Sequence, residues 1–143
     1  MLQPPPQDEH GNVIPHDHAG ILPQDGIIRR ISEQQIVSDE KIGGRRISSM
    51  AFNCSTSPNG GMSIDLQQQI EEAGLNAKEF VTTPRWIGSV RFQASQLRSE
   101  GLWVGFNPLD DNPYHGDVWG RSKKKRLLQL CEWFVPIEGV SIL

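Results

Sequence analysis

Cysteine is scarce in this 143-residue chain: Cys54 and Cys131 are the only two, they lie far apart, and neither belongs to a C-x-x-C pair. That count excludes a disulfide mini-protein, and both thiols read as reduced and structural. No window approaches 18 uninterrupted apolar residues, which excludes a transmembrane helix. The opening MLQPPP lacks the basic start and apolar run of a secretory signal, so the expected location is the cytoplasm, with no membrane partner. Also missing are G-x-S-x-G, a Walker loop, G-x-G-x-x-G and H-E-x-x-H. No nucleophile motif or cofactor follows from the sequence. Nor is the chain a polycation, since its net charge is −3.

What is present is turn-rich. Gly 14 and Pro 10 make about one residue in six, which favours short elements over long regular ones. Five of the ten prolines (Pro4, Pro5, Pro6, Pro15, Pro23) and three of the four histidines fall in residues 1–26. That composition predicts an extended arm outside the core, with a single folded domain over 27–143. All four tryptophans and the only tyrosine lie between Trp86 and Leu143.

Within the body, residues 27–31 read as a strand, and Ser32 as the cap of a short helical turn. A turn follows over 38–44, then a second strand over 46–52 and a polar loop to Gly61. Asp65 and Gln68 predict a capping box opening a helix that carries Leu66, Ile70 and Ala73 on one stripe, with Gly74 as its stop. Strands are expected over 86–92, 102–106 and 114–119, and a short helix over 95–98 ends at Gly101. A last helix, capped by Ser122, carries Leu127, Leu128, Cys131 and Trp133 and is ended by Pro136. The sum is a compact α+β domain with a mixed or antiparallel sheet and two to three short helices.

Four groups of side chains carry possible chemistry. His16 and His18 stand at i and i+2 and face the same way on extended backbone. They form a candidate Zn²⁺ or Mn²⁺ pair, with His115 or an acid as third ligand. Against it stands a solvated polar arm, because ligands need a rigid surround. Arg29, Arg30, Arg45 and Arg46, with Ser48 and Ser49 close behind, offer fork-shaped donors for a phosphate or carboxylate. Strand alternation puts Arg29 and Arg30 on opposite faces, so one of each pair reaches a shared site. Asp39, Glu40 and Asp65 are available as ordinary salt-bridge partners, and edge-strand charge is the competing reading.

The third group is the loop Asn107-Pro108-Leu109-Asp110-Asp111-Asn112-Pro113-Tyr114-His115-Gly116. His115 is its candidate acid or base, with Asp111 and Asn112 as catalytic companions; a structural turn histidine is the alternative. The fourth is Arg121, Lys123, Lys124, Lys125 and Arg126, five positive charges that leave the rest of the chain at −8. Such a run contacts phosphates of nucleic acid or simply solvates a helix face.

The stretches RRISSMAF, GGMSIDL and NPLDDNPYHG together resemble a group of small bacterial proteins, a likeness that covers most of the body and transfers no site. The chain is also similar to the RES-type toxins of the ADP-ribosyltransferase class. That similarity implies an Arg at Arg29 or Arg30, a Ser at Ser63 or Ser95, and an acid at Glu71, Glu72 or Glu100 acting on NAD. The leading expectation is a binding protein, an accessory or regulatory partner in a larger assembly or operon. The alternatives are an enzyme on a phosphate-bearing substrate (nucleotide, NAD or nucleic acid) and a nucleic-acid-binding module using residues 121–126. Convergence of His115 with the arginines in one pocket separates the enzyme from the rest.

Overall fold

The run Ile27-Ile28-Arg29-Arg30-Ile31 forms the centre of β1 (Gly26–Ser32), and the rest of the fold is arranged around it. The computed structural model describes residues 2–143. After β1 come β2 (Ile36–Asp39), β3 (Gly44–Ile47), β4 (Met62–Leu66), α1 (Gln67–Glu72) and α2 (Ala77–Phe80). β5 (Trp86–Gln93), α3 (Ala94–Ser99), β6 (Trp103–Phe106), β7 (His115–Trp119), α4 (Lys124–Leu130), β8 (Glu132–Val135) and β9 (Val140–Ser141) complete the order. Six strands make an antiparallel sheet in the order β6-β7-β4-β1-β5-β8, and β2-β3-β9 form a smaller mixed sheet. This is the expected α+β architecture, with four short α-helices among the described residues.

Alternation along β1 divides the interior. Ile27 and Ile31 join the larger cluster with Phe52, Ile64, Phe92, Leu97, Val104 and Leu127. Ile28 points the other way, into a small cluster with Ile70, Ala77 and Val81. A strand buried on both faces should be apolar throughout; Arg29 and Arg30 interrupt it. They sit just past the point where β1 and β4 stop pairing, since only Ile27 with Leu66 and Ile28 with Asp65 are in register.

Local chemistry moved three of the expected boundaries. The strand expected over 46–52 ends at Ile47: Ser48 Oγ accepts from the Met50 amide (3.2 Å), starting a 3-10 turn over Ser49–Phe52 that turns Ala51 and Phe52 into the core. The helix expected to open with an Asp65 cap instead starts at Gln67, with Leu66 in the cap position and no side-chain cap. Asp65 stays on β4, its carboxylate engaged by Arg30 and Asn112. The last helix ends at Leu130, and Trp133 belongs to β8, paired with Val90; Lys123, not Ser122, holds the cap position. Gly74 and Gly101 do end their helical segments, at φ +80° and +79°.

The N-terminal segment is extended, but it does not stay outside the core. Met1, the first residue of the expected arm, lies outside the described residues. Ile21 is 2% exposed and belongs to the larger cluster, and Leu2 packs against it. Residues 16–18 close the free edge of β6. The Phe106 amide donates to His16 Nε2 (3.1 Å), the Val104 amide to Asp17 Oδ1 (2.9 Å), and the His18 amide to the Val104 carbonyl (2.9 Å). An uncovered edge would invite pairing with other chains. Replacing Ile21 with Ala should therefore destabilise the protein by about 2–5 kcal/mol in urea denaturation. A loss within about 0.5 kcal/mol, the value for a surface position, would place the arm outside the core after all.

Candidate functional site

Where β1 and β4 part, their side chains line a cleft of about 400 Å³ bounded by Arg29, Arg30, Ser63, Asp65, Phe80, Trp86, Leu109, Asp111, Asn112 and His115. Register explains the gathering. His115 on β7 lies opposite Asp65, and Asp65 lies opposite Ile28, so His115, Asp65 and Arg30 share one face. Alternation alone would send Arg29 to the opposite face. With no strand beside it there, Arg29 reaches sideways into the gap, donating from Nε to the Ala51 carbonyl (2.9 Å) and from Nη1 to the Ser63 carbonyl (2.8 Å). Both arginines of the pair therefore reach the cleft.

Arg30 is held by Asp65 in a two-pronged pair, Nε to Oδ2 at 2.8 Å and Nη2 to Oδ1 at 3.0 Å. Its guanidinium lies over the Phe80 ring, 5.6 Å from the centroid, and Phe80 meets Tyr114 edge to face. Asn112 donates to Asp65 Oδ1 (2.8 Å) and accepts from the Tyr114 amide (3.1 Å), which pins the loop to the sheet. Arg29 has no carboxylate in salt-bridge contact among the described residues. Burial pushes its pKa below the ordinary arginine value, against the pull of Cys54, Asp65 and Asp117. Among the described residues, Nη2 of Arg29 and Nη1 of Arg30 have no hydrogen-bond partner.

His115 is oriented from behind. Its Nδ1 lies 2.8 Å from the Asn107 carbonyl oxygen. A carbonyl only accepts, so Nδ1 carries the proton and the neutral ring presents Nε2 as a base. Asn107 also donates from its side chain to Asp117 Oδ2 (2.6 Å). Asp117 is 3% exposed, and burial pushes its carboxyl above the ordinary carboxylate range. The Asn107 hydrogen bond and the positive charge of Arg29, with His115 and His16 adding to it when protonated, pull it back in part. Asn107 thus fixes both the imidazole and the buried acid two residues beyond it.

Five predicted site residues come together here: Arg29, Arg30, Asp111, Asn112 and His115. The other predicted anion binders do not. Arg45 pairs with Glu33 and Arg46 with Asp39 (2.7 Å), both at the small sheet, and Arg46 holds the Asp39 carboxyl below its usual value. Ser48 caps the 3-10 turn that Ser49 opens, and neither lines the cleft. Of the residues implied by the toxin similarity, Ser63 joins the arginines, whereas Ser95, Glu71, Glu72 and Glu100 lie outside.

The metal pair His16 and His18 is overturned by hydrogen bonding. His16 donates from Nδ1 to Ile14 (2.8 Å) and accepts from the Phe106 amide at Nε2; His18 donates from Nε2 to Gln3 (2.8 Å) and accepts from the Gly20 amide at Nδ1 (2.9 Å). No ring nitrogen is left as a ligand. Among the described residues no group of three or more His, Cys, Asp or Glu is placed to hold a metal ion.

The basic run lies at the start of α4, outside the cleft. Lys124 binds the Asn53 side chain and Arg126 pairs with Glu100 (3.3 Å), while Arg121, Lys123 and Lys125 are exposed. No described helix is long and apolar enough to cross a membrane. The chain matches no protein-family model, no curated protein and no solved structure.

Sequence reasoning did not single out Asn107, Phe80 or Trp86; it gave Asp65 both a helix-capping role, which fails, and a salt-bridge role with the arginines, which Arg30 fulfils. The one available signal was the spacing of His115 and Asp117, which sets both on one face of a strand.

Asp117 gives a pH test. Its native pKa lies above the unfolded value of 3.8, so the native state holds this proton more tightly. Its contribution to stability therefore falls as pH rises from 3.8 through the native value. An Asp117→Asn variant, which keeps an acceptor for Asn107, should be more stable than the parent at pH 7 and lose that advantage below pH 3.8. Urea midpoints of the two proteins across this range check it, and a difference that does not vary with pH would contradict it.

Proposed function

We propose that the protein is an enzyme acting on a phosphate-bearing substrate, with Arg29 and Arg30 holding the anion and His115 moving a proton beside it. The convergence of these three side chains in one cleft carries the reading. A half-buried arginine whose protein partners are two carbonyls lacks a counter-ion, and a bound phosphate supplies one. Asp65 fixes the Arg30 fork before the ligand arrives, so little side-chain freedom is lost on binding. His115 Nε2 takes a proton from a hydroxyl or water, or returns one to a leaving oxygen, while Asn107 holds the ring in the required tautomer.

The reading as an accessory binding partner drew on the missing catalytic motifs, the Pro-rich arm and the segregated basic run, and of these the arm is engaged by β6. The cleft therefore supports the enzyme better. The test is turnover of bis-p-nitrophenyl phosphate, a chromogenic phosphodiester. His115→Gln should lower kcat by about 10²- to 10⁴-fold, and Arg30→Gln should raise KM. Equal kcat for His115→Gln and the parent would remove the acid–base role.

A second reading is favoured by the exposure of Arg121, Lys123 and Lys125: nucleic-acid contact at the start of α4. Replacing Lys123 and Lys124 together with Glu should weaken oligonucleotide binding and reduce its salt slope by about two. An unchanged slope rules out that patch.

A further inference from the structure

The cleft is longer than an anion and an imidazole require. Trp86 closes the end away from His115. β5 and β7 are separated by β1 and β4, so at ~4.8 Å per strand their backbones stand about 14 Å apart. Trp86 lies opposite Ser32, four residues along β1 from the Ile28 level at which His115 sits. The arginines fall between these two ends.

The two aromatic rings of the cleft differ in their contacts. Phe80 is already used, its face under Arg30 and its edge against Tyr114. Trp86 is half-buried and meets one cation: Arg85 lies over the indole, 4.8 Å from the ring centroid. That contact covers one face of the indole with an exposed cation that does not itself line the cleft, so a base would stack on the face turned from Arg85.

We infer that Trp86 is the stacking platform for the ring of a nucleoside monophosphate, whose phosphate reaches Arg29 and Arg30. The inference rests on the anion-holding reading above and adds the class of substrate. A planar ring gains its contact with an indole face whatever its edge carries, so Trp86 selects for a base being present rather than for one base. In the monophosphate itself a phosphate oxygen then lies beside His115, and in a phosphodiester of such a nucleotide the second ester group does.

The test is calorimetric titration of the full chain with adenosine 5′-monophosphate, with inorganic phosphate and with a single-stranded oligonucleotide. The mononucleotide should bind at least about tenfold more tightly than phosphate, the increment expected of one stacked base. Trp86→Leu should collapse that ratio toward one, and Trp86→Phe, which keeps a ring, should restore most of it. Circular dichroism of each variant confirms folding.

Equal affinity for mononucleotide and phosphate, or a ratio unmoved in Trp86→Leu, overturns the stacking platform and leaves the anion site standing. Binding of the oligonucleotide without the mononucleotide also overturns it. A folded parent protein that binds neither phosphate nor mononucleotide removes the anion site itself.

Discussion

β1 and β4 pair through two residues only, and beyond Ile28 the sheet is held together by guanidinium groups. Arg29 Nη1 takes the Ser63 carbonyl that a neighbouring strand would otherwise satisfy, and Arg30 grips Asp65 with both prongs. Backbone groups left unpaired in a sheet interior are costly, so the strands could not part without such substitutes. Cationic substitutes are not the cheapest way to fill a gap. A buried ion pair is often matched or bettered by apolar residues of similar volume. Arginines here make an opening in the sheet and line it with positive charge, which an apolar plug would not.

That opening determines how the surrounding residues are used. Asp65 would make a serviceable helix cap, yet its two oxygens are taken by Arg30 and Asn112, and α1 begins without a side-chain cap. The 3-10 turn after β3 presents the Ala51 carbonyl to Arg29. Asn112 ties the loop after β6 to the same carboxylate. Strand, loop and turn thus meet on two arginines and one aspartate, and a change in any of them is felt by the others. Such coupling gives a site whose donors are placed before a ligand enters.

Elements governed by local pattern were legible in the sequence. β1, β5 and β7 followed from alternation, the loop between β6 and β7 from its two Asn-Pro units, and the helix stops from Gly74 and Gly101. His115, Asp111 and Asn112 were singled out because functional residues collect on loops between rigid strands, and all three line the cleft. What escaped was decided by distant partners. Arg29 and Arg30 alternate in sequence, and only the early end of the β1–β4 ladder lets both face one cleft. Asp65 offered two roles in the sequence, helix cap and salt-bridge partner, and Arg30, 35 residues away, decides for the second. Proline-rich residues 1–26 read as a loose arm because a sheet edge is not visible from composition, although residues 16–18 of that segment close the edge.

The arm's role bears on the site itself. His16 accepts from the Phe106 amide and packs on Trp119 at 5.2 Å. Asp17 takes the Val104 amide and also pairs with Arg98 on α3 (3.0 Å). These contacts hold β6 in place, β6 holds β7, and Asn107 at the end of β6 orients His115 and Asp117 on β7. An edge strand of four residues is too short to fix an imidazole by its own ladder. With the arm across it, β6 becomes an inner strand in all but name, and the base of the cleft rests on a sheet without a free edge on that side. The histidines that looked like metal ligands therefore brace the edge of the sheet whose next strand carries His115.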